Sequence, residues 1–551
     1  MADKTYDVII VGGGQKGLVL AMYLTKYGGL KVGIFEERHE LGTGWSSEEP
    51  SPGFAGNTCS NNHYGGYQTP VFWDFPEFKD YGARYALTPV TAGTAFEDDT
   101  CFLQFSAFPE VDPTQERTAE LIARFSKKDA ETYLKLWEKS VNYWFPAMME
   151  WSFTPAQPLT KPDAMERLIM NPDAGINPHW LVLNAVQLFS IFFEDPHVQV
   201  GLLRMIQSWG IAQDEPGSGW TALFNMFTSL PFQCYVPGGT HSLTHAAYRV
   251  IWENGGEAWT NKRVDKVIIE NGKAKGIKLT DGTEVESKVA VVTDVDPLQL
   301  VFDLVGSDKL DPVIVRKVKH LSRSWEYVTW YSWAFTERPE WKCEEFEPWA
   351  KYCAWMCFGE KSGFDVNAFI KESAERRTGI WPRNLNIGVS YMGTNEVENF
   401  DQCLAPLEIG FKILTEQYVL SADMFSDKEW KEIERKHAEE TIALTSQFAP
   451  NVSWDIVAGY TPVTPYFLKN FGSNFGPSGH WALIDSTPAQ LGKFRPIPEL
   501  AGNRVPGIEG LYCTGTAWHP YAGASSYQGY NCYKVMAEDL NLKKVWEGRS
   551  F

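Results

Sequence analysis

Gly12, Gly14 and Gly17, followed nineteen residues later by Glu36, are the residues of this chain whose types and spacing most directly suggest chemistry. In a G-x-G-x-x-G turn the first glycine makes the tight bend and the second lets the backbone approach a pyrophosphate. The third lets the following helix pack closely on the preceding strand. Gly13, Gln15 and Lys16 complete the loop and are expected to touch the same ligand. A helix that starts in such a loop offers unpaired N–H groups and the positive end of its dipole to phosphate. A carboxylate at Glu36 accepts hydrogen bonds from both hydroxyls of a ribose and repels a 2′-phosphate.

These residues work only if a strand precedes the glycines and a second strand ends at Glu36. The sequence predicts both. Tyr6 to Val11 is an apolar run, Leu18 to Tyr27 has helical spacing and ends at Gly28-Gly29, and Lys31 to Phe35 is a second short strand. A later region is punctuated in the same regular way. Pro237-Gly238-Gly239 predicts a turn and Leu243 to Trp252 a helix. Val264–Ile269, Ala274–Leu279 and Glu284–Val292 read as strands joined at Asn271-Gly272 and Asp281-Gly282. Asp112 to Val141 is expected to form one or two surface helices, Val182 to Met205 a buried helix or cap, and Asp427 to Ser446 a helix.

The chain has 551 residues, too many for one core, so two or three lobes are expected. With 50 basic and 69 acidic residues the net charge is −19, which argues against nucleic acid or anionic lipid as partner. The most apolar run, Leu181 to Phe193, is too short to span a bilayer and contains Asn184 and Gln187; peripheral membrane contact stays open. The N-terminus carries no signal-peptide pattern, and nine scattered Cys point to free thiols and a cytoplasmic location. Cys353 and Cys357 lack further ligands for a zinc site, and His241 and His245, one helical turn apart, read as packing residues; no metal is expected. The 22 Trp, 33 Phe and 23 Tyr exceed what a nucleotide fold requires and suggest an aromatic-lined cavity, with Trp325, Trp330, Trp333, Trp341 and Trp355 as candidates for its wall.

The sequence after Glu36 points to FAD rather than NAD. Glu37 and Arg38 are followed by Leu41-Gly42-Thr43-Gly44-Trp45, a second glycine-rich segment placed to run along a pyrophosphate. Here the chain resembles the phytoene desaturase-related FAD oxidoreductases (carotenoid desaturase, isomerase and retinol saturase types), within the amine-oxidase-like flavoprotein superfamily. Three blocks carry the match, residues 7–45, 235–297 and 507–540, together about a quarter of the chain and in the family's order. The resemblance implies an α/β fold in which a Rossmann-type FAD-binding domain is interleaved with an α+β substrate-binding domain. It places the FAD-binding parts at residues 1–65, 235–297 and 501–551, and the substrate parts at 66–234 and 298–500. It also implies that non-covalent FAD is held by the glycine loop and Glu36, with Glu37, Arg38, Gly44 and Trp45 along the phosphate and ribityl path. Val264 would meet the adenine, and Gly515, Ser525, Ser526 and Tyr527 the flavin end. Two departures stand out. Family members often carry His-Asn where this chain has Gln15-Lys16, and bulky Tyr521, with Trp518 before it, precedes Ala522-Gly523-Ala524 and narrows the space over the flavin, so that a smaller apolar or cyclic substrate is expected at least as much as a long carotenoid.

The implied activity is addition or removal of hydrogen across a C–C bond of an isoprenoid, polyene or alicyclic substrate, by hydride transfer at flavin N5. His63, His519 and Tyr521 are the candidate acid/base residues. Oxygen, a quinone or a nicotinamide are open as electron acceptor. A redox-neutral isomerase or hydratase and an amine oxidase are alternatives on the same fold. A prenyl-binding chaperone of the dissociation-inhibitor type is the non-enzyme alternative, and the intact glycines and Glu36 argue against it.

Overall fold

The computed structural model describes residues 4–60, 63–64, 66–207, 210–359, 364–382, 386–391 and 411–549. Two seven-stranded sheets organise them. The first is built from three distant stretches of chain. Strand Thr5–Val11 lies between Val32–Phe35 and Glu284–Asp294, parallel to both. Glu257–Trp259 extends the sheet on one side, also parallel, beyond Val32–Phe35. The eleven-residue strand Glu284–Asp294 serves two partners. Its first residues pair with Lys273–Leu279, which continues antiparallel to Val264–Glu270, and its last four pair in parallel with Leu511–Thr514. The Asn-Gly and Asp-Gly turns thus sit where the sequence puts them, between these antiparallel strands.

Helices cover this sheet, so its central strand reads as a continuous apolar run instead of an alternating one. Helix Gln15–Lys26 is buried along nearly its whole length and packs against the C-terminal helix Tyr527–Leu540 and against His241–Glu253. The first of these crossings is close enough that a Cβ on Gly529 would fall 2.3 Å from the Lys16 carbonyl oxygen. The N-terminal loop is therefore supported by the far end of the chain.

The second sheet runs Val457–Val463, Val328–Phe335, Phe411–Tyr418, Asn386–Tyr391, Trp355–Gly359, Val90–Ala95, Cys101–Phe105, antiparallel except where Trp355–Gly359 meets Val90–Ala95. Strand Val328–Phe335 is buried on both faces. Successive side chains point to opposite sides. Tyr331, Trp333 and Phe335 join a core with Ala438 and Ile442 of helix Asp427–Phe448, while Trp330 turns the other way, into the main core. A set of helices between residues 116 and 228 caps the main core.

The stretch Val182 to Met205 differs from the single helix expected. It forms two, Ala185–Phe192 and Pro196–Gln207. Pro196 cannot continue a helix that enters it, and the buried Asp129 carboxylate accepts the freed N–H groups of Glu194 and Asp195. Among the described residues no helix is long and apolar enough to cross a membrane.

Candidate active site

The glycine loop follows the buried strand Thr5–Val11 at the carboxyl end of the first sheet, where open α/β sheets bind ligands. Gly12 has φ +97°, and a Cβ there would lie 2.6 Å from the Asp294 carbonyl oxygen, so the turn requires glycine. Glu36, at the end of Val32–Phe35, accepts a hydrogen bond from Gly13 N at 2.7 Å on Oε2 and from Arg38 N at 2.9 Å on Oε1. Burial raises its pKa and the two backbone N–H groups oppose that rise. Each oxygen keeps a lone pair for a hydroxyl donor.

Asp294, which the sequence reading did not single out, ends the neighbouring parallel strand, and its Oδ2 accepts from Gly17 N at 2.8 Å. Burial pushes its pKa up to about 6, against the Gly17 N–H and the Lys16 charge. Lys16 is buried beside it and donates to the Gly523 carbonyl. Burial draws the Lys16 pKa down to about 7, opposed by Asp294. The sequence carries no local signal for Asp294, because only long-range pairing sets the end of its strand beside Thr5–Val11.

A cavity of about 490 Å³ connects this loop to the second sheet. Glu36, Glu37, Arg38 and Val264 line one end; Gly12, Gly14, Gln15, Lys16, Gly44 and Asp294 line the middle. Tyr521, Ala522, Gly523 and Ala524 follow, and Tyr64, Trp330, Trp355, Trp481 and Glu416 line the far end. Glu37 accepts from Ser473 N at 2.7 Å and lies 3.5 Å from the Arg263 guanidinium. Gln15 Oε1 accepts from Gly44 N at 3.1 Å, joining the two glycine segments. The Arg38 guanidinium lies 3.4 Å over the Phe471 ring and bonds Glu40, yet its Nη1 is buried without a partner among the described residues.

Other expected contacts stand behind the cavity wall. Trp45 is fully buried and donates from Nε1 to the Ala524 carbonyl at 3.1 Å. Gly515 directly follows strand Leu511–Thr514, with φ +131°. Ser526 Oγ donates to Tyr67 O at 2.7 Å, Ser525 Oγ lies 3.2 Å from Gln528 Oε1, and Tyr527 OH receives the Tyr521 hydroxyl at 3.2 Å. These four shape the C-terminal segment without lining the cavity.

Of the three acid/base candidates, Tyr521 lines the cavity, its ring stacked 5.9 Å from Trp151 and its pKa pushed up to about 12 by burial. His63 lies behind the wall formed by Ser60 and Tyr64. It is bonded to Ser60 Oγ at 2.6 Å and Tyr85 OH at 2.8 Å, and burial drives its pKa down to about 3. His519 Nε2 reaches the carbonyls of Trp151 and Thr154 at 3.1 and 3.0 Å, fastening the turn before Pro520. His241 and His245 face each other with ring centroids 4.5 Å apart, and no cluster of metal-ligating residues occurs among the described residues. Of the tryptophans, Trp330 and Trp355 reach the cavity; Trp333 and Trp341 fill the second core, and Trp325 lies under the Arg376 guanidinium at 3.6 Å.

These residues fit FAD. A buried carboxylate with spare lone pairs would suit a ribose, the unpartnered Arg38 nitrogen and the glycine loop would suit phosphates, and the same cavity reaches Gly523 and the second sheet with room for a ring system. Fold and site together define an FAD-dependent oxidoreductase, and the fold is the one that amine-oxidase-like flavoproteins share. A family profile described as an NAD(P)-binding Rossmann-like domain matches residues 10–77. The chain is 24% identical to one of the subunits of limonene dehydrogenase from Castellaniella defragrans, over 98% of its own length and 96% of the relative's. It is 24% identical to the rat pyridine nucleotide-disulfide oxidoreductase domain-containing protein 2, over 97% and 94%. Similarity to a 4,4′-diapophytoene desaturase of a Methylomonas species is 38% identity over 73 residues, 12% of this chain and 14% of the relative. Among solved structures, an oxidoreductase from Methanosarcina mazei matches with TM-score 0.58 at 15% identity, covering 96% of this chain and 99% of that one. Cyclohexylamine oxidase from Brevibacterium oxydans matches with TM-score 0.55 at 12% identity, covering 98% and 100%.

Proposed function

We propose that the protein removes hydrogen from, or adds it to, a C–C bond of a small apolar hydrocarbon of terpene size, preferably cyclic. The observation that carries this reading is the aromatic lining of the cavity, to which Trp330 and Trp355 of the second sheet, Trp481 with its ring 6.0 Å from that of Trp330, and Tyr521 contribute. Such a wall desolvates a hydrocarbon and offers it few hydrogen bonds. The full-length similarity to a protein named as part of a limonene dehydrogenase supports the same substrate class.

FAD, when bound, supplies the hydride acceptor or donor. The protein's own part is to hold and dry the reacting centre. Glu36, Arg38 and the glycine loop fix the nucleotide half, and Lys16 fixes the Gly523 carbonyl so that the C-terminal segment stays closed over the cavity. Tyr521, braced by Trp151 and Tyr527, limits the length of substrate that fits.

The test is to incubate the FAD-loaded protein with limonene, related monocyclic terpenes and linear polyenes, and to analyse products by mass. A product differing from a cyclic substrate by two hydrogens is expected, with linear polyenes converted more slowly. A product of unchanged mass would contradict the reading and favour isomerisation.

A further inference from the structure

Glu416 is a carboxyl group set into an apolar wall. It lies on strand Phe411–Tyr418 directly opposite Trp330 of Val328–Phe335, so the two side chains share one face of the sheet. Trp330 Nε1 donates to Glu416 Oε2 at 2.7 Å, and the carboxyl opens on the cavity. The other carboxyl groups that line this cavity are committed elsewhere. Glu36 and Glu37 belong to the nucleotide end, and Asp294 caps the glycine-loop helix. Asp163 and Glu166 form the capping box of helix Ala164–Met170, with Lys493 on Glu166. Asp163 also accepts from Trp151 Nε1 at 3.3 Å, but Glu416 alone among these carboxyl groups is held, among the described residues, by an indole N–H with no backbone N–H or cation beside it.

We propose that Glu416 is the acid/base residue of the reaction, exchanging a proton with the substrate carbon next to the one that exchanges hydride. The proposal rests on the hydrocarbon reading given above. In the dehydrogenating direction one C–H bond leaves with its electron pair as hydride and reduces FAD by two electrons. The neighbouring carbon yields a proton to the Glu416 carboxylate, and the electron pair left behind becomes the second bond of the alkene. Glu416 then returns its proton to water. In the hydrogenating direction the neutral carboxylic acid gives that proton to carbon while reduced FAD gives hydride.

The surroundings suit this exchange. The groups facing Glu416 are Tyr64 from strand His63–Tyr64, Tyr418 on its own strand and Cys357 from Trp355–Gly359, and burial keeps all three neutral. Burial pushes the Glu416 pKa up to about 8, and among the described residues only the Trp330 indole N–H opposes it. The group therefore changes charge close to neutral pH, where a general acid or base is most effective.

The test uses FAD-loaded wild type, E416Q and E416D with limonene as probe, followed by anaerobic flavin bleaching between about pH 6 and 10. Wild-type bleaching should rise with pH around a midpoint near the Glu416 pKa. E416Q should be slowed at least about 100-fold and lose the rise, with FAD retention unchanged, and E416D should recover part of the rate. Independently of turnover, the infrared C=O absorbance of protonated carboxylic acid should titrate over the same range in an E326Q background, which removes the other buried carboxyl raised to about 8, and should be lost there when E416Q is added. Wild-type rates in E416Q, or an infrared band that E416Q leaves intact in the E326Q background, overturn the role of Glu416. Wild type that no terpene bleaches overturns the hydrocarbon reading, and this role with it.

Discussion

The Glu36 carboxylate is bonded at 2.7 Å to the backbone N–H of Gly13, so the group proposed to hold the ribose and the loop proposed to hold the phosphates are one rigid unit. Glu36→Ala removes both the expected ribose contact and this brace. FAD affinity should fall by about 2–3 kcal/mol, on the order of 30- to 150-fold in Kd. Fluorescence titration of the apoprotein with FAD measures it, and an unchanged Kd would remove Glu36 from the nucleotide site.

Lys16 carries a pKa drawn down to about 7 by burial, so a sizeable fraction of it is neutral at slightly alkaline pH. A bound pyrophosphate stabilises the ammonium form and raises that pKa. FAD binding near pH 7.5–8, roughly one unit above the Lys16 value, should then take up protons. Calorimetry in buffers of different ionisation enthalpy reads this uptake, which Lys16→Met should diminish. Equal uptake in both proteins would separate Lys16 from the phosphate path.

Glu326 is fully buried, and burial, followed by the nearby Asp485 charge, raises its pKa from 4.5 to about 8. The folded state therefore holds a proton that the unfolded state releases above pH 4.5. Stability falls as pH rises through the window from 4.5 to about 8, by up to about 1.4 kcal/mol per unit, and levels off above it. Glu326→Gln should flatten this slope, so that its denaturation midpoint overtakes the wild-type value at alkaline pH. Parallel pH profiles for the two proteins would refute the assignment.

Gly529 meets the Lys16 carbonyl where the first and last helices cross. Gly529→Ala must push these helices apart, at a cost of about 1–3 kcal/mol. Denaturant unfolding and FAD retention should both weaken. Unaltered values would show that the crossing tolerates a side chain.

Much of the nucleotide half was legible in the sequence, because its signals are local. The turn at Gly12, the Asn271-Gly272 and Asp281-Gly282 hairpins and the helix around Leu243 to Trp252 each depend on a few adjacent residues. Asp294 escaped because it lies at the end of a third strand whose place beside Thr5–Val11 only the sheet reveals. Glu416 escaped for a stronger reason. In Lys412-Ile413-Leu414-Thr415-Glu416 it looks like one polar residue of an alternating strand, and only pairing with Trp330, 86 residues earlier, turns it into a cavity wall. His63 and His519 drew attention by residue type, yet tertiary partners fix them behind the cavity. The break at Pro196 was readable in principle from the proline alone.

The most direct test of the account is the spectrum of the FAD-loaded protein mixed anaerobically with limonene or a related monocyclic terpene. The account predicts that the yellow oxidised flavin bleaches in proportion to the substrate converted. Flavin that stays oxidised while product accumulates would contradict it.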